Sequence, residues 1–130
     1  MKLRIHKSLN IEDNIVDVIK KFVVFCSKKL ELKNPCIIKL LPKNNNEGIS
    51  TGGYLPTTYT TSVRYEDRAV VDVLRTIAHE LTHHKQDEKG ELVGNIPNIG
   101  GVIEDTANAI SGRLVKMFVD ECDAKFIYKL

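Results

Sequence analysis

The stretch Arg75 to Gln86 reads RTIAHELTHHKQ and holds three of the four histidines in this 130-residue chain. On an α-helix each residue advances by about 100°, so residues four apart differ by about 40° and project side by side. His79 and His83 are such a pair. Two imidazoles so placed can share one metal ion, and Glu80 between them completes the pattern His-Glu-x-x-His, with a carboxylate one step along from the first histidine. The chemistry such a set serves is hydrolysis. Zinc lowers the pKa of a bound water to about 7, and a nearby carboxylate can take its proton as it attacks a carbonyl, which cleaves an amide without a covalent intermediate.

The helix that must carry these residues runs through Val70, Val71, Leu74, Ile77, Ala78 and Leu81 to about Lys85, with Asp67 as the expected cap. Counted from Val70, its apolar stripe centres near 30°, whereas His79 and His83 fall at about 180° and 220°, away from the core-packing face. His84 falls near 320°, about 100° from His83, and is expected to be a half-buried packing residue rather than a ligand. His6, alone in a possible first strand, is given the same reading.

Two histidines leave a metal site incomplete, so the third ligand must come from elsewhere. Cys122 and the remaining acids qualify by type, but GGVIEDTANAISG offers a better candidate. Ile103, Ala107, Ile110, Leu114, Met117 and Phe118 mark a third helix, and Glu104 lies at about 100° from that stripe, at its border. Asn108, one turn later, can hydrogen-bond a ligand histidine from behind, as imidazole ligands commonly require. Asp105 points about 100° further round and reads as solvated.

The other elements supply the frame. Ile11, Ile15, Val18, Phe22 and Cys26 give residues 11 to 30 an amphipathic helical pattern, with Asn10 available as cap. Cys36 to Leu41 reads as a buried strand, 43 to 48 as a polar loop, and Thr51 to Tyr65 as two short strands joined by a turn. Proline and several threonines favour an edge position for the latter. Residues 88 to 100, with Gly90, Gly94, Pro97 and Gly100, form a loop, and the C-terminal KFIYKL is a helix end, a short strand or a docked tail. The expected fold class is α+β: a small, mostly antiparallel sheet with an N-terminal helix, the histidine-bearing helix and a third helix carrying Glu104, in one domain spanning 1–130.

Composition limits the alternatives. Hydrophobic residues are 42% and charged residues 28% of a chain of net charge +2, which fits a foldable globular protein rather than a disordered or membrane chain. The basic residues are scattered without interleaved aromatics, so no nucleic-acid partner is expected. Three cysteines, Cys26, Cys36 and Cys122, with no close pair indicate neither a disulfide framework nor a cysteine zinc site. No apolar run approaches bilayer length and MKLRIHKSLN lacks the core of a signal peptide, so a cytoplasmic protein without a membrane partner is expected.

Taken together, His79, Glu80 and His83, with Glu104 following 21 positions after His83, resemble the gluzincin metallopeptidases. LRTIAHELTHHKQ and IEDTANAISGRLV are also similar to small predicted metallopeptidases of large tailed bacteriophages, whose setting would be the host cytoplasm. The resemblance covers roughly residues 51 to 118 and implies a minimal zincin-like peptidase. It implies Zn2+ as cofactor, His79, His83 and Glu104 as ligands and Glu80 as general base. It further implies a strand before the active-site helix that pairs with an extended peptide or protein substrate, a place that Tyr59 to Tyr65 matches. Its oxyanion-stabilising Tyr or His matches no single residue here, leaving Tyr54, Tyr59, Tyr65 and Tyr128 open. That gap favours the alternative of a zincin-fold metal-binding regulatory protein without turnover. A purely structural zinc module fits less well, because three ligands beside a free glutamate resemble an open site.

Overall fold

The computed structural model of the protein describes residues 1–92 and 101–130. In chain order the elements are β1 (Lys2–Ile5), α1 (Asp13–Lys29), β2 (Ile37–Leu41), β3 (Gly52–Leu55), β4 (Thr60–Arg64), α2 (Val70–Glu88) and α3 (Gly101–Glu121). A 3-10 turn, Pro56–Thr58, joins β3 to β4, and a second 3-10 segment, Lys125–Lys129, docks the C-terminus through fully buried Ile127. The loop expected over 88 to 100 begins with a turn at Gly90, where a φ of 73° suits glycine. Its remainder, with Gly94, Pro97 and Gly100, lies outside the described residues.

The class is α+β as expected, but the sheet is mixed rather than mostly antiparallel. Its strand order is β1-β2-β4-β3; β1 pairs β2 in parallel, β2 pairs β4 in parallel, and β3 with β4 is antiparallel. Parallel neighbours need a crossover that returns the chain to the same end, and α1 supplies it between β1 and β2. From β2 the chain passes through β3 before entering β4, so β4 takes the inner slot and β3 the edge. The edge position read for 51 to 65 therefore belongs to β3 alone. In β4, Thr61, Ser62 and Val63 are all buried.

One core joins these elements. Val18, Ile19, Phe22, Val23 and Cys26 of α1 meet Ile38 and Leu40 of β2, Val63 of β4, Leu74, Ile77 and Leu81 of α2, and Leu114 and Phe118 of α3. The Phe118 ring sits edge-on to Phe22 and Phe25, with centroids 5.1 and 5.4 Å apart, which fixes α3 against α1. Helix starts differ from the sequence reading. Glu12 rather than Asn10 precedes α1, and Ala69 precedes α2 because Asp67 adopts a left-handed φ of 60° two residues earlier. No described helix is long and apolar enough to cross a membrane.

Candidate metal centre

Helical phase carries the two histidines of α2 out of the core and under α3. There His79 Nε2 and His83 Nε2 lie 3.2 Å apart, and the Glu104 carboxylate closes the group, with Oε2 3.1 Å from His79 and Oε1 2.6 Å from His83. A tetrahedral cation with bonds of about 2.0–2.1 Å holds its ligand atoms about 3.3 Å apart; the two imidazole nitrogens stand near that spacing, while Glu104 turns a different oxygen to each histidine. His79, His83 and Glu104 thus lie close enough to hold a metal ion. His84 and Cys122 are not in this group. Asp105, on the same helix as Glu104, is exposed.

Burial lowers the His79 pKa against the opposing pull of Glu104, which favours the neutral imidazole that binds metals. Asn108, one turn after Glu104, lines the same cleft as His79. Glu80 is 5% exposed and its Oε1 stands 4.0 Å from His83 Nε2. Burial pushes its carboxyl up to about 7, with His83 opposing the shift and the Glu104 carboxylate adding to it. A group near 7 can take up and return a proton at neutral pH.

Sequence reasoning missed Gln86. Its Nε2 donates to the backbone carbonyl of Ile103 at 3.2 Å, and its Oε1 lies 2.7 Å from His83 Nδ1. A carbonyl can only accept, so the amide is oriented with its oxygen toward the histidine. His83 then carries a proton on Nδ1, which leaves Nε2 as the nitrogen that faces the centre. The same amide ties α2 to the residue just before Glu104. The signal was available, since Gln86 stands at i+3 from His83 and shares its face. Gln86→Met keeps the volume but removes both bonds, and is expected to weaken metal affinity by about 10–100-fold while the chain stays folded. Zinc titration alongside circular dichroism checks this; unchanged affinity would remove Gln86 from the centre.

His84 is not half-buried but fully buried. Its ring stacks between Tyr54 and Tyr59, with centroids 5.5 and 5.2 Å away. Its Nε2 approaches Glu88 Oε2 at 3.3 Å, outside hydrogen-bond geometry, and burial lowers its pKa, so the neutral ring is favoured. Glu88 is occupied elsewhere. It accepts from the backbone N–H groups of Lys33 and Asn34 and from the Asn34 side chain, anchoring the approach to β2. His6 is an exposed residue just after β1, bonded to Ser8.

The centre opens into a cleft of about 1300 Å³, walled on one side by the loop entering β3 and β3 itself, on the other by α3, and floored by α2. Edge strand and helix touch closely. A Cβ at Gly52 would stand 2.5 Å from Thr76 Cγ2 and 3.4 Å from Glu80 Cγ, so only glycine lets β3 approach the helix here. Two residues on, Tyr54 stacks over His84 and donates its hydroxyl to Asp87 Oδ2 at 2.7 Å. Of the four tyrosines left open for oxyanion stabilisation, Tyr54 is the one that lines the cleft.

Fold and site together define an α+β protein with a candidate metal centre under an open cleft. Comparison of the chain with protein-family models, with curated proteins and with solved structures gives no match.

Proposed function

We propose that the protein is a zinc-dependent endopeptidase of gluzincin type, with His79, His83 and Glu104 as ligands and Glu80 as general base. The observation that carries this reading is the convergence of two Nε2 atoms and one carboxylate beside a second, buried carboxylate on the floor of a strand-edged cleft. Two imidazoles and a carboxylate suit zinc, which when bound acidifies water and polarises a carbonyl. The chain's own residues do the rest. Gln86 and Asn108 orient the imidazoles, Glu80 accepts a proton from water in the cleft and returns it to the departing amine, and an edge strand aligns the peptide.

The edge that aligns the substrate is β3, not Tyr59–Tyr65. Backbone groups of β4 are taken up by β2 on one side and β3 on the other, whereas among the described residues β3 has one strand neighbour, β4. A peptide can therefore add to Gly52–Leu55, binding through its main chain with little demand on its side chains.

The test is metal content followed by turnover. Elemental analysis after dialysis against zinc is expected to give about one zinc per chain, and the loaded protein is expected to cleave a generic unfolded substrate. A metal content near zero sinks the site. One zinc without turnover supports the second reading, a metal-binding regulatory protein. That reading draws on Tyr54, whose hydroxyl is held by Asp87 rather than free in the cleft.

A further inference from the structure

Resting on the peptidase reading, the geometry points to a substrate preference: we infer that the cleft recognises a carboxylate on the C-terminal side of the cleaved bond, through Arg75 with Arg68 behind it. The direction comes from β3. Gly52 abuts Thr76 and Glu80, and Tyr54 reaches His84 and Asp87, so β3 and α2 run the same way. A peptide added antiparallel to β3, the more stable pairing, runs the opposite way. Its C-terminal half then lies over the first half of α2 and the residue just before its cap, where Arg68, Asp72, Arg75 and Thr76 line the cleft.

That end carries uncompensated positive charge. The Arg68 guanidinium donates to the carbonyls of Arg64 and Asp72 at 2.9 and 3.2 Å and to Thr76 Oγ1 at 2.7 Å, all uncharged acceptors. It also reaches the Thr51 carbonyl at 3.5 Å, beside the start of the edge strand. Among the described residues no ion pair includes Arg68, and its partial burial reduces the screening of its charge by water. Asp72 pairs with Arg75 instead, Oδ1 to Nη1 at 2.8 Å. Two guanidinium groups thus share one carboxylate. Arg75 stands one helical turn before His79 and is exposed, with further N–H donors than the one Asp72 uses. It is the group positioned to fork onto an incoming carboxylate, while Arg68, engaged by four oxygens, supplies charge from a fixed place.

The experiment measures binding rather than turnover. Zinc-loaded Glu80→Gln protein is titrated by fluorescence anisotropy with labelled heptapeptides that are neutral apart from a single Glu in place of Gln or a free C-terminal acid in place of an amide. Glu in the C-terminal half is expected to bind about threefold to fivefold more tightly than Gln, the upper range of what an ion pair with an exposed guanidinium gives. Adding Arg75→Gln should abolish the gain, and Arg75→Lys should restore part of it. A gain seen with free acids regardless of side chain identifies the chain terminus as the carboxylate, and its loss in Arg75→Gln supports the same site. Equal binding of Glu and Gln peptides together with no gain from the free acid, a gain confined to the N-terminal half, or a gain that survives Arg75→Gln overturns the inference. Cleavage of the all-neutral peptide by the unsubstituted protein tests the peptidase reading separately, since that peptide makes no use of the arginines.

Discussion

Glu80→Gln is expected to retain zinc at the unsubstituted stoichiometry and to lose peptidase activity by about 10²–10⁴-fold, the range that a positioned general base contributes. The substitution changes little in shape. Glu80 is buried at the cleft floor, and glutamine fills the same volume while lacking the ability to accept and release a proton at neutral pH. Its side chain is not one of the three that converge, so metal affinity should hold. Burial that lifts the Glu80 carboxyl to about 7 also means that a neutral amide is readily accommodated there. The comparison needs kcat on a single peptide together with metal content from the same preparation. Undiminished kcat at full zinc loading removes Glu80 from the chemistry.

Removal of Glu104 should have the largest effect on the metal. Glu104→Ala is expected to reduce zinc affinity by more than the roughly 10–100-fold that loss of an outer hydrogen-bonding partner costs. Asp105→Ala should leave affinity unchanged. Glu104 contacts both histidines, at 3.1 and 2.6 Å, whereas Asp105 is exposed on the same helix. The neighbours that pack α3, Ala107 and Leu114, are untouched, so both variants should fold. Calorimetric zinc titration of the two, side by side, gives the answer. Loss of the metal in Asp105→Ala with retention in Glu104→Ala would mean that α3 presents a different face and would remove the structural basis of the centre.

What could be read from the sequence was what depends on local phase. His79, His83 and Glu104 follow from an angle of about 100° per residue, and the two helices bring them together as that angle says. Gln86 obeys the same rule, facing His83 from three positions along the same helix. Strand order is a different matter. Whether Thr60–Arg64 lies at an edge or inside depends on β2 reaching across from distant sequence, and no pattern within TTSVR records that. Threonine and serine there satisfy a buried strand as well as an exposed one. His84 shows the reverse limit. Its angle correctly excluded it from the metal group, but its burial comes from Tyr54 and Tyr59, which reach it from another element. Asp67 is a fitting cap by type, and its left-handed backbone hands the position to Ala69.

The three converging side chains come from two helices, two from α2 and one from α3. A cation held among them would act as a reversible crosslink, present only while both helices are in place. Its binding energy is then also folding energy, and the stability of the protein becomes a function of free metal concentration, rising by RT ln(1 + [metal]/Kd). At a thousandfold excess over Kd that amounts to about 4 kcal/mol, a large share of the roughly 5–15 kcal/mol that typically separates a folded domain from its unfolded chain. Chelation would therefore act on the protein as a mild denaturant, and metal supply in its surroundings would govern how long the chain survives as well as whether it works.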